Sequence, residues 1–158
     1  MSMEIADDGR VLTDIEELLI ERECVRLITA YAKRLDLGEV DRVVDLFTED
    51  ATYEVLGEFR FTGREELTRS IPSRLSGTPR TTRHLCSNIS IEVLSNVEAR
   101  GVCYFVNYRH DSSTGEIVEP VPVSLPHYVG EYHDRFVRTQ DGWRIAHRSI
   151  HLTFTDKP

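Results

Sequence analysis

The sequence predicts an α+β domain in which a few helices pack against one antiparallel sheet. Three observations carry this. Apolar residues recur at helical spacing between Ile15 and Phe47, they alternate with polar residues at a period of two from Thr81 to Phe154, and strands and helices do not interleave as they would in a parallel α/β fold.

The first helix opens at Thr13-Asp14-Ile15-Glu16, where Thr13 can accept from a free backbone N–H and Glu16 can reach back. Ile15, Leu18, Leu19, Val25, Ile28, Ala32 and Leu35 then form the expected apolar stripe, and Gly38 suits the left-handed position past a helix end. Val40, Val43, Val44 and Phe47 mark a short second helix. A strand over Asp50 to Val55 and a return strand at Phe59-Arg60-Phe61 follow. Thr62-Gly63-Arg64-Glu65 reads as another capping box, opening a third helix with Leu67, Ile71 and Leu75 on its apolar edge. Pro72 disturbs that helix and Gly77-Thr78-Pro79 closes it.

Beyond Thr81, Leu85, Ile89, Ile91 and Val93 are assigned to one strand face, with His84, Cys86, Asn88, Ser90 and Glu92 on the other. Three more strands are expected at Val102 to Tyr108, Tyr128 to Arg138 and Trp143 to Phe154. Pro120, Pro122 and Pro126 keep their segment out of a central strand. The apolar Val118 to Leu125 stretch is expected to cover a pocket mouth or another subunit.

The length of 158 residues fits one domain over 13–158 behind a loose tail, 1–12, with a core large enough to hold a pocket. Nineteen basic against 27 acidic residues give a net charge of -8, which excludes a nucleic-acid backbone as partner. No apolar run is long enough to span a bilayer and the N-terminus lacks signal-peptide features, so a cytoplasmic, membrane-free protein is expected. Cys24, Cys86 and Cys103 read as reduced, buried thiols.

Four motifs in order carry a resemblance. They are Tyr31-Ala32-x-x-Leu35-Asp36-x-Gly38-x-x-Asp41, Leu46-Phe47-x-x-Asp50-Ala51, Arg83-His84 and Asp141-Gly142-Trp143-Arg144-Ile145. Over about residues 13–152 the chain resembles the SnoaL-like branch of the NTF2-like superfamily. The resemblance implies a cone-shaped fold, with the N-terminal helices in the concave face of a curved, mixed but mainly antiparallel sheet around an apolar pocket. Scytalone dehydratase, bile acid 7α-dehydratase and a lindane dehydrochlorinase in that group use an Asp–His pair, which maps onto Asp36 and His84. The tyrosine of the bile acid enzyme maps onto Tyr31. Scytalone dehydratase has a tyrosine where this chain has Leu35, which argues against that substrate, and its second histidine falls near His110 across an alignment gap.

The chemistry suits these residue types. A histidine, with an ordinary pKa of about 6.5, exchanges protons readily at neutral pH. A carboxylate on its other ring nitrogen fixes the tautomer and stabilises the imidazolium. Asp36, at a helix C-terminus where the dipole disfavours negative charge, gains from such a partner. Tyr31 can hold a developing oxyanion, although on an ideal helix it lies about 140° from Asp36. Tyr53, Asn88, His110 and Arg148 are candidate substrate-binding residues.

Other readings compete: Asp36 in an exposed turn, His84 on a solvent-facing strand, Tyr31 as a core tyrosine. No metal or other cofactor is expected, since His147 and His151 stand about 13 Å apart along one strand. The implied function is a cofactor-independent lyase or isomerase acting on a small hydrophobic ring substrate, in a homodimer or homotrimer. A polyketide cyclase or hydrolase, or a non-catalytic binding or assembly module, is the alternative.

Overall fold

The computed structural model describes residues 7–75, 78–123 and 125–156, so Gly77 and the first six residues of the expected tail lie outside the described residues. Helix α1 (Asp14–Asp36) is capped by Thr13, whose side chain accepts from the Glu16 N–H while the Glu16 carboxylate accepts from the Thr13 N–H. The short second helix is a 3-10 helix (Val40–Leu46), and Phe47 already belongs to β1 (Phe47–Val55). The short β2 (Phe59–Thr62) leads into α2 (Arg64–Leu75), which keeps Pro72 inside it. The carboxylate reaching back to the Thr62 N–H is that of Glu66, at 2.8 Å, one residue later than expected.

The remaining strands are β3 (Arg80–Val93), β4 (Glu98–Asp111), β5 (Tyr128–Thr139) and β6 (Gly142–Thr155). All six form one sheet in the order β2-β1-β6-β5-β4-β3. Every neighbouring pair is antiparallel except β1 and β6, which run parallel, so the sheet is mixed. The core lies between this sheet and α1, built from Cys24, Ile28 and Tyr31 of the helix against Phe105, Tyr132 and Phe136 of the strands. No helix among the described residues is long and apolar enough to cross a membrane. All three cysteines are unbridged, with Cys24 and Cys103 buried.

Two expectations about side-chain direction are corrected. On α1 the buried face is Ile20, Cys24, Leu27, Ile28, Tyr31 and Ala32, whereas Ile15, Leu18 and Leu19 are exposed. Among the described residues, none covers these apolar side chains of the first turns. On β3 the alternation reverses at an irregularity between Ser87 and Ser90, where Asn88 takes a left-handed φ of 51°. An inserted residue flips every later side chain to the other face. His84 and Cys86 therefore share the inner face with Ile89, Ile91 and Val93, while Leu85 and Asn88 are exposed. Asparagine tolerates this backbone conformation better than most residues, which accounts for its place there. Val118, Val123 and Leu125 are exposed on the single chain, and none of the three lines the cavity described below.

Candidate functional site

The site begins with how α1 ends. Leu37 closes the last helical turn on the Lys33 carbonyl, Gly38 turns the chain at φ 77°, and the Glu39 N–H returns to the Arg34 carbonyl at 2.8 Å. That glycine-dependent exit leaves Asp36 as the last helical residue, close against β3.

Strand β3 is the sheet's edge, so its outward N–H groups face no further strand. Asp36 supplies the missing acceptor: its Oδ2 takes the backbone N–H of His84 at 2.8 Å, and its Oδ1 lies 2.6 Å from His84 Nδ1. The two side chains are only 11% and 14% exposed. With Nδ1–H donated to the carboxylate, the neutral imidazole carries its lone pair on Nε2. That nitrogen faces the side-chain amide of Asn107, 3.1 Å away, which also donates to Thr82 Oγ1 at 2.6 Å. Asn107 sits directly opposite His84 in the β3–β4 register and is buried. One histidine is thus fixed through its main chain, through Nδ1 and through Nε2.

Tyr31 and Tyr53 face each other with their hydroxyls 2.8 Å apart. Burial pushes the Tyr31 hydroxyl well above its usual value, helped by Tyr53 and Tyr132 and opposed by Arg148. Burial also raises Tyr53, against its bond to Tyr31. Both remain protonated donors at ordinary pH.

Tyr31, Asp36, Tyr53, His84 and Asn107 line a single cavity of about 370 Å³, within the size range of small-molecule sites. Its other walls include Leu35, Phe105 and Ile150. The cavity wraps the end of α1, which is how Tyr31 and Asp36 share it despite their angular separation. Arg74, Arg80 and Arg109 add guanidinium groups to the lining. Arg80 and Arg109 both hold Asp111, at 2.6 and 2.8 Å. Burial works to raise the Asp111 carboxyl, but the bonds from Arg109 and Arg80 prevail and hold it at about 2.

The other sequence-derived candidates lie outside this lining. Asn88 is exposed at the β3 irregularity, and His110 is half-buried on β4 opposite Thr81. Arg148 is fully buried behind the cavity wall, where its Nε and Nη2 bind Asp134 at 2.8 and 2.7 Å. Its guanidinium carbon stands 4.1 Å from the Tyr31 ring centre and 4.3 Å from that of Tyr132. Burial disfavours its charge, but Asp134 and the tyrosines hold the guanidinium pKa above its usual value. Arg148 therefore packs against the Tyr31 ring and is not part of the cavity lining. Sequence reasoning missed Asn107 and the three arginines. The available signal for Asn107 was a lone amide inside the β-forming run Val102 to Tyr108.

The sequence family described as the SnoaL-like domain matches residues 16–149. No curated protein matches the chain. Among solved structures, the fold is similar to that of a candidate scytalone dehydratase from Novosphingobium aromaticivorans, with TM-score 0.75 and 22% identity over 90% of this chain and 89% of that one. It is similar to a hexachlorocyclohexane dehydrochlorinase, LinA type 2, with TM-score 0.74 and 15% identity over 90% of each. It also resembles an NTF2-like protein with a cystatin-like fold from N. aromaticivorans, with TM-score 0.67 and 23% identity over 95% of this chain and 94% of that one. At these identities the structural likeness describes the fold.

Proposed function

Since the chain belongs to the SnoaL-like domain family, in the NTF2-like superfamily, we propose that it is a cofactor-independent lyase or isomerase of dehydratase type. Its substrate in this reading is a small hydrophobic ring compound. The observation that carries the proposal is the doubly anchored Asp36–His84 pair, with Nε2 beside Asn107 on the lining of a cavity of mixed apolar and charged character.

In the proposed reaction the Asn107 amide gives up His84 Nε2 as substrate enters, Nε2 removes a proton from a ring carbon, and the C–H electron pair becomes a new double bond. The leaving group departs from the neighbouring carbon with its own bonding pair. Asp36 stabilises the imidazolium that forms. The Tyr31 and Tyr53 hydroxyls, kept protonated by burial, share one hydrogen bond, and the O–H that it leaves free donates to the departing oxygen or to an enolate. The structural neighbours named for dehydration and for dehydrochlorination support this reading, because both named reactions are eliminations. The cavity volume suits one or two rings, and the arginines leave room for a polar substituent.

The test is turnover of a panel of hydroxylated and halogenated ring compounds by the parent chain, Asp36→Asn and His84→Ala. Each variant should remain folded by circular dichroism yet lose roughly two or more orders of magnitude in kcat. Full activity in His84→Ala would remove the proposal and favour a binding role for the cavity.

A further inference from the structure

The face of the sheet opposite α1 carries a second cluster with its own chemistry. On β5, Tyr132, Asp134 and Phe136 point into the core, so Glu131 and His133 point outward, two residues apart on one face. The β5–β6 register sets His151 directly opposite Glu131, and Ser149 opposite His133. The His133 and His151 rings stack with centres 4.1 Å apart. His133 Nε2 lies 2.7 Å from Glu131 Oε2, and His151 Nε2 lies 3.0 Å from Ser149 Oγ. One ligand atom from each of Glu131, His133 and His151 falls within 4.8 Å of the other two.

We propose that Glu131, His133 and His151 bind one divalent transition ion of the Zn2+ or Ni2+ class per chain, with water completing the coordination. Two imidazoles and a carboxylate suit these ions, whereas Mg2+ and Ca2+ prefer oxygen ligands throughout. Bonds of about 2.0–2.2 Å set ligand atoms about 3.4 Å apart in a tetrahedral site. Small side-chain rotations close the gap from the present arrangement. The backbone need not move, because β5 and β6 are both interior strands with partners on either side. Glu131 and His133 are 36% and 37% exposed, which gives an ion direct access from solvent. The separation that excludes His147 and His151 from sharing an ion along β6 still holds. The third ligand here comes from the neighbouring strand, beyond the reach of a one-strand argument. The cluster shares no residue with the cavity lining, so this inference is independent of the proposed reaction.

The experiment is titration calorimetry of the tag-free, full-length chain with ZnCl2 and with NiCl2 at pH about 7.5, repeated at about 5.5. Saturable binding of one ion per chain is expected, weaker at the lower pH because protonated imidazoles do not coordinate. His151→Ala and Glu131→Gln should each weaken it by about tenfold or more, while His84→Ala should bind as the parent does. Co2+ should give the visible absorption of a four-coordinate N/O site, lost in His151→Ala. Metal-free melting of each variant checks that the fold is kept. Absence of saturable binding, or unchanged binding in the triple variant Glu131→Gln/His133→Ala/His151→Ala, overturns the proposal.

Discussion

Removing the Asp134 carboxylate tests whether the wall behind the cavity rests on a buried charge pair. Arg148 and Asp134 have side chains 0% and 1% exposed and meet through two parallel hydrogen bonds. In Asp134→Asn the guanidinium keeps its charge and its burial but loses the compensating anion. Breaking such a pair from one side costs about 3–5 kcal/mol. Against a total of about 5–15 kcal/mol for an ordinary domain, that is a large fraction. For a chain of this size each kcal/mol moves the melting temperature by about 2–4 °C, so a fall of about 6–20 °C is expected. Urea and thermal melts followed by circular dichroism give both numbers. The double variant Asp134→Leu/Arg148→Met removes both charges and should recover most of the loss, since apolar replacements of buried ion pairs are often neutral or better. A cost below about 1 kcal/mol in Asp134→Asn, or no recovery in the double variant, would refute the reasoning.

Asp36→Asn should disturb the His84 proton even without substrate. The amide has one acceptor, whereas the His84 N–H and Nδ1–H both require one. No orientation of asparagine satisfies both while Nδ1 carries the proton, so the proton is expected to move to Nε2, against the Asn107 amide, with a destabilisation of about 1–3 kcal/mol and a changed tautomer in 15N spectra of the imidazole. Gly130→Ala should cost more than about 2 kcal/mol in urea midpoints, because a Cβ there would overlap the His151 carbonyl oxygen and crowd Phe105. Asp111→Asn should alter the acid limb of stability. The carboxyl is depressed in the folded chain, so its contribution is present above the ordinary value of about 4 and is lost as pH falls through about 2. Melting temperatures of parent and variant should separate above that window and converge below it. Cys24, which burial raises to about 12, should resist alkylation in the native chain and react once urea unfolds it.

Much of this architecture was legible because local chemistry and tertiary structure agree. Thr13 with Glu16 opens α1, Gly38 closes it, and the alternation from Thr81 onward marks the long strands. Of the candidate site residues, Tyr31, Asp36, Tyr53 and His84 come together in the cavity. Periodicity failed where the environment, not the residue, decides the face. Ile15, Leu18 and Leu19 have the right spacing, but none of the described residues covers them. Asn88 looked pocket-facing until an inserted residue reversed the strand. Arg148 is polar by composition, yet Asp134 and two tyrosine rings make it a core residue. Asn107 matters only through its register with His84, a relation between strands that periodicity within either one does not express.

The parallel seam between β1 and β6 bears on how the chain reaches this state. Strands β3 to β6 pair with their sequence neighbours, whereas β1 must find a strand from the other end of the fold. Closing so long a loop is entropically costly, and contacts of this separation slow folding and tend to form after local ones. Tyr53 lies on β1 directly beside Arg148 of β6. The hydroxyl pair therefore depends on this seam for the placement of Tyr53, whereas the outer face of β5 and β6 belongs to the meander alone. A ligand that needs both hydroxyls would accordingly favour chains in which β1 is paired with β6. Protection of β1 amides against hydrogen exchange should rise with cavity occupancy more than that of β4 or β5.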